Sequence, residues 1–176
     1  MAAMTAGLAV VGAVLALLAV LLVLGRWRWT GLTGERLSRL AAGQHTPQTV
    51  RFDASELDRL PPVVQRYFRV ALADGAPIVT TATVDHAGWF NMGESVDRWL
   101  PFRSRQQVQT CRPGFVWDGR IRMAPGLQVH VHDAYVDGEG VLHPAIAGLF
   151  DLPALRGGGA IAEGELLRFF AEAAWY

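Results

Sequence analysis

The sequence predicts an α+β protein: an N-terminal transmembrane helix followed by a mainly antiparallel β-sheet, a meander or curved half-barrel, with flanking helices. Three observations predict it. Thr5 to Gly25 reads TAGLAVVGAVLALLAVLLVLG, without one charged side chain. From Ile78 onward the apolar period falls from about 3.6 to about 2. Between Pro113 and Leu142, apolar and polar residues alternate almost without a break.

The first run is long enough to cross a bilayer, whose core of about 30 Å needs roughly 20 apolar residues at 1.5 Å each. A cleaved signal peptide fits less well, since no basic residue precedes the run and bulky Arg26 and Trp27 follow Gly25. Arg26, Trp27, Arg28 and Trp29 suit a collar at the headgroups, so residues 1–29 form the anchor. Gly12 and Ala16, one turn apart, are a candidate contact for a second copy of the helix. Arg26, Arg28, Arg36 and Arg39 follow the span and favour a cytoplasmic domain by the positive-inside rule. Cys111 is the single cysteine, so an internal disulfide is excluded.

With 176 residues, 51% apolar content and 16 basic against 16 acidic residues, there is room for one anchor and one ordinary domain. Zero net charge argues against a nucleic-acid footprint. Every basic residue is Arg, which reads as coding bias rather than chemistry.

Residues 30–54 are expected to hold a short juxtamembrane helix, with Thr33 as N-cap and Gly43 as stop, and then a Pro47-containing linker from Gln44 to Phe52. Residues 55–176 form the α+β domain. A helix starting near Ser55 or at Pro61-Pro62 carries Val63, Val64, Tyr67, Phe68 and Val70, with Arg66 and Arg69 as its wet edge. Strands follow from Ile78, punctuated by Gly88, Gly93 and Trp99 to Phe102. Arg103, Arg105, Gln107 and Gln109 place the next strand's polar face in water.

Two further strands flank Pro125-Gly126. Phe115, Trp117, Ile121, Val129 and Val131 share one face only if the loop has an odd number of residues; three or five centred on Pro125 satisfy the pattern, and five also accommodates a Pro-Gly turn. That register sets Asp118 opposite His132, Arg120 opposite His130 and Arg122 opposite Gln128. Two histidines at i and i+2 facing a carboxylate can hold a metal or run acid/base chemistry, though Arg120 between them repels a cation, and a solvated face explains them as well. Alternation fails at Asp133-Ala134, which suggests a bulge. Asp137-Gly138 is the next hairpin turn, and Pro144 marks an edge or bulged strand. Gly157-Gly158-Gly159 lacks the Lys and Ser/Thr of a phosphate loop, so no cofactor is indicated. Glu163 to Tyr176 is an amphipathic helix that buries Leu166, Leu167, Phe170, Ala173 and Ala174 and leaves Glu165, Arg168 and Glu172 as a charged stripe.

The segments Trp99-Leu100-Pro101-Phe102, Pro113 to Asp118, Arg122 to Gly126, Asp133 to Gly138, Gly164 to Arg168 and Ala174-Trp175-Tyr176 resemble a bacterial family of membrane-associated proteins with a domain of unknown function. Architecturally that family is similar to lipoprotein carriers, whose curved sheet wraps an apolar cavity. The resemblance implies an extracytoplasmic domain, against the flanking charges, and several more strands beyond Tyr176. It supplies no catalytic residues.

The favoured expectation is a membrane-anchored protein that binds a lipid or other apolar ligand on Phe115, Trp117, Ile121, Val129 and Val131. As ordinary core, the same residues would pack on Phe68 and Phe170. One alternative is a metal-dependent or acid/base enzyme using Asp118, His130 and His132. Another is a truncated, non-functional fragment. The expected partners are the bilayer and an apolar small molecule.

Overall fold

The first helix runs well past its expected end. In a computed structural model that describes residues 2–42 and 50–175, helix α1 spans Ala2–Ala42 without interruption, where two helices were expected. No proline falls between these residues, and Gly31 and Gly34 cost only about 1 kcal/mol each relative to Ala. Thr33 is an interior residue rather than a cap, and its hydroxyl donates to the Trp29 carbonyl at 2.9 Å. Gly43 and most of the Gln44 to Phe52 linker lie outside the described residues. Mean hydropathy reaches 3.0 in α1, and the helix is long and apolar enough to cross a membrane.

The next helical segment divides in two. A 3-10 turn at Ala54–Arg59 is capped by Asp53, whose carboxylate accepts from the Ser55 amide at 2.8 Å. Helix α2 (Pro62–Ala71) then starts on its proline, as expected of a residue whose missing N–H is no loss in the first turn. Val63, Tyr67 and Val70 on α2 are exposed.

An antiparallel meander follows chain order: β1 (Thr81–Asn91), β2 (Trp99–Gln109), β3 (Gly114–Ala124), β4 (Leu127–Val136), β5 (Glu139–Ile146) and β6 (Phe150–Asp151). A short β7 (Leu155–Gly157) pairs with β5 beyond β6. The sheet is open, not closed into a barrel, with β1 at one edge and β6 and β7 at the other. Trp99 to Phe102 begins β2 instead of breaking it, and Gly88 lies inside β1, where a Cβ would sit 3.2 Å from the Phe102 ring. Pro144 falls between the parts of β5 that pair with β7 and β6, so its missing donor breaks neither short ladder.

The β3–β4 hairpin keeps the expected register: Asp118 faces His132, Arg120 faces His130 and Arg122 faces Gln128. Five residues do separate Arg122 from Gln128. They are tightened by an Ala124–Leu127 pair around Pro125-Gly126, with the register shift between Arg122 and Ala124 marking Met123 as a bulge. A favourable Pro-Gly turn and one apolar face are thereby reconciled. The bulge expected at Asp133-Ala134 is absent, since Asp133 pairs with Leu142 and Ala134 with Val141 in unbroken register. Asp133 points toward the apolar face because a cation awaits it there.

Each face of the sheet is covered by one helix. The C-terminal part of α1 lies on the face that carries Val116, Ala134, Val136 and Val141, with Leu40 among them. Helix α3 (Ala160–Glu172) covers the face that carries Val108, Phe115 and Trp117, with Phe169 among them. Gly140 permits this approach: a Cβ there would lie 2.6 Å from the Ile161 carbonyl oxygen. The rotation of α3 reverses the expected one. Phe169 is 4% exposed and Phe170 59%, while Glu165 is buried with Phe169 and Leu167 faces outward. The reason is polar: Arg168 and Glu172, one turn apart, find partners on the sheet.

Candidate functional site at the helix end of the sheet

On α1, Gly25, Trp29, Thr33, Arg36 and Leu40 recur at three- and four-residue spacing and so share one side of the helix. That side lies along the sheet. A Cβ on Gly25 would come within 2.2 Å of the Ala147 carbonyl oxygen, and one on Gly148 within 2.7 Å of the Gly25 carbonyl oxygen. The β5–β6 turn holds Ala147 at φ 54° and Gly148 at φ 69°, so backbone meets backbone at this crossing. Arg28 fixes the turn further, donating to the Gly148 carbonyl at 3.0 Å and to Asp151 at 2.6 Å.

The expected collar residue Trp29 is therefore not at a lipid surface but 1% exposed, inside the protein. Its indole stacks on His132, meets His130 edge-on, and donates from Nε1 to Asp118 at 2.9 Å. The solvated histidine face expected from the alternation is likewise corrected: His132 is fully buried and His130 nearly so, because α1 covers them. Thr33 has already given its proton to Trp29, so its oxygen accepts from His132 Nε2–H at 2.7 Å. That leaves His132 Nδ1 as an unpartnered, unprotonated nitrogen. Burial, with Arg36 and His143 nearby, pushes the His132 pKa down to about 2. Burial also lowers that of His130, with Arg120 adding to the effect. Both oxygens of Asp118 are engaged, one by Trp29 and the other by Arg120 at 3.2 Å. The register thus brings Asp118, His130 and His132 together beneath α1, with Asp118 and His132 hydrogen-bonded and the buried Nδ1 atoms of both histidines without a partner.

On the other face, Phe115, Trp117, Ile121 and Val129 are buried, and Val131 packs beside Phe115, Trp117 and Phe169. Phe68 and Phe170 do not fill this role; Phe169 does. A polar cluster interrupts the apolar layer. Arg168 donates to Asp133, and to Glu172 at 2.9 Å, while its guanidinium lies 4.9 Å from the Phe115 ring centroid and 5.7 Å from that of Trp117. Gln106 donates to Glu172 at 2.7 Å. Burial pushes the Glu165 carboxyl up to about 8, and hydrogen bonding and charge from Asp133 add to the shift. Glu165 thus carries its proton at neutral pH.

The remaining feature is the end of the sheet from which the apolar part of α1 leaves. The row Phe102–Ile121–Val129–Ile146 marks it, and beyond that row lie the β1–β2, β3–β4 and β5–β6 turns. Trp89, Phe90, Val96, Trp99, Leu127 and Phe150 are exposed there, at the same end as Gly25 and the exposed Trp27. Beside α1 this end also opens into a groove of about 700 Å³ whose walls include Arg26, Arg103, Arg105, Arg120 and Arg122. Arg105 pairs with Asp85 through two hydrogen bonds of 2.8 and 3.0 Å, and Arg120 with Asp118. Arg103 and Arg105 are the exposed part of the polar β2 face expected in water, but Gln109 at its other end is buried.

The sequence carries a signal for this docking: the side of α1 defined by residues 25, 29, 33, 36 and 40 continues a helical period straight through the expected break. No curated protein and no solved structure matches the chain. Residues 58–176 match the model of a family of unknown function, DUF6920, which takes in α2, the sheet, α3 and the groove apart from Arg26, but not α1. The chain belongs to that family of unknown function.

Proposed function

We propose that the chain is a single-pass membrane protein whose sheet rests on the bilayer interface by the end that carries its aromatic turns. One observation supports this above others. The strand register gathers Trp89, Trp99, Leu127 and Phe150 at the end of the sheet where α1 emerges, and the emerging segment of α1 is exposed and apolar. Tryptophan favours the headgroup region, where its ring is half in hydrocarbon and its N–H is wet. Scattered apolar residues on a protein surface need no explanation, but a set confined to one end beside a membrane helix does. In this reading lipid is met by the turns, while the apolar face of Phe115, Trp117, Ile121, Val129 and Val131 is filled by α3. A ligand on that face would require α3 to lift away.

The test uses the full chain reconstituted in phosphatidylcholine vesicles with brominated acyl chains. Bromine quenches indole fluorescence at short range, so quenching is expected in the wild type and a smaller quenched fraction in Trp89→Phe/Trp99→Phe. An unchanged quenched fraction in the double variant, or release of the chain by alkaline carbonate, overturns the reading.

A further inference from the structure

We infer that the arginine groove beside α1 is a binding site for the headgroup of an anionic phospholipid. Three observations carry it. First, the groove is short of negative charge: Arg105 and Arg120 are matched by Asp85 and Asp118, but Arg26, Arg103 and Arg122 have no acidic partner among the described residues. Second, β2 and β3 place Arg103 directly opposite Arg120 on the same face. Like charges in a cross-strand pair repel, and the arrangement is relieved when an anion lies between them. Third, the groove is open, and its volume falls within the roughly 300–1,000 Å³ of small-molecule sites.

Free phosphate and a lipid phosphate share the chemistry that a set of guanidinium groups recognises. Position selects the lipid. Arg26 follows the apolar run directly, so when that run spans a bilayer the groove lies at headgroup depth, where anionic lipid is concentrated. This step rests on the membrane reading above.

Native mass spectrometry of the full chain released from detergent micelles provides the test, with phosphatidylglycerol, phosphatidylcholine and inorganic phosphate as probes. The wild type is expected to retain one phosphatidylglycerol in preference to phosphatidylcholine. Arg26→Gln/Arg103→Gln/Arg122→Gln is expected to bind it about a hundredfold more weakly, at a factor of roughly five per arginine. Arg103→Lys/Arg122→Lys, which keeps the charge, is expected to retain most of the preference. Equal retention of the two lipids, or unchanged phosphatidylglycerol binding in the triple glutamine variant, overturns the assignment. Phosphate bound as tightly as the lipid overturns the lipid source. Thermal melting of the variants shows whether they are folded. Carbonate extraction separates the two readings: a chain that stays in the membrane without lipid preference refutes the groove alone, and one that washes out refutes the anchor.

Discussion

The Trp29 indole stacks on the His132 imidazole, with ring centroids 3.9 Å apart and an angle of 4° between the ring planes. This contact joins a helix residue to the centre of the sheet, and Trp29 has its Nε1 committed to Asp118 as well. Removing it takes away both. Trp29→Ala is expected to lower stability by about 3–5 kcal/mol, as large-to-small changes at buried aromatics do. Trp29→Phe keeps the ring but leaves an Asp118 oxygen without its donor, for roughly 1–3 kcal/mol. Urea unfolding of the full chain in detergent should rank wild type above Trp29→Phe and Trp29→Ala lowest.

His132 makes the fold sensitive to acid. Its folded pKa of about 2 lies below the ordinary 6.5, so its contribution is fully present above pH 6.5 and is lost as pH falls toward 2. Over that window the loss approaches about 1.4 kcal/mol per pH unit. His132→Phe cannot take up the proton, so the difference in melting temperature between it and the wild type should shift in favour of His132→Phe as pH is lowered from 6.5 to 4.5. Parallel melting curves for the two proteins would falsify the assignment.

Glu165 acts in the opposite direction. Its carboxyl is raised to about 8 from an ordinary 4.5, so the stability it contributes is complete below pH 4.5 and disappears as pH climbs through 8. Glu165→Gln mimics the protonated form at every pH. Its advantage over the wild type should therefore grow steadily from pH 5 to pH 8 in thermal melts. Taken together, these two groups oppose one another between pH 4.5 and 6.5, which places a stability plateau there with a fall on each side.

The crossing of Gly25 and Gly148 offers a way to separate helix from sheet without touching a polar group. Gly25→Val puts side-chain atoms where the Ala147 carbonyl oxygen now sits, only 2.2 Å from an ideal Cβ. Backbone on both sides cannot yield cheaply. Undocking should expose the covered histidine face, seen as faster proteolysis after Arg26 or Arg28 and faster hydrogen exchange in β4. If Gly25→Val exchanges like the wild type, the close contact is not what holds the helix down.

Much of this arrangement was legible in the sequence, and the reasons for success and failure are physical. The β3–β4 register followed from alternation alone, because a one-residue slip turns Phe115, Trp117, Ile121 and Val129 out of the core. The apolar run announced itself by length. What could not be read locally was which polar residues had partners far along the chain. Asp118, His130 and His132 looked wet because Trp29, Thr33 and Arg36 lie about 90 residues or more away, and nothing between them signals the docking. The same holds for α3, where Glu165, Arg168 and Glu172 had the spacing of a solvent stripe but turn inward to Asp133 and Gln106. Hydrophobic pattern predicts burial only where buried polar groups are few, and here each face of the sheet has its own set.

The unbroken α1 has a mechanical consequence. At 1.5 Å per residue its 41 residues make a rod of about 60 Å. Its C-terminal part is clamped along the sheet at Gly25, Trp29, Thr33, Arg36 and Leu40, with no hinge between clamp and span. Under the proposed membrane reading azimuth and tilt are therefore shared: turning the span about its axis would swing the whole sheet around the membrane normal. One residue inserted before Gly25 would rotate the sheet by about 100° relative to the span, while four would bring it nearly back into phase. In that reading the length of the segment between bilayer and sheet would set a compass bearing as well as a height.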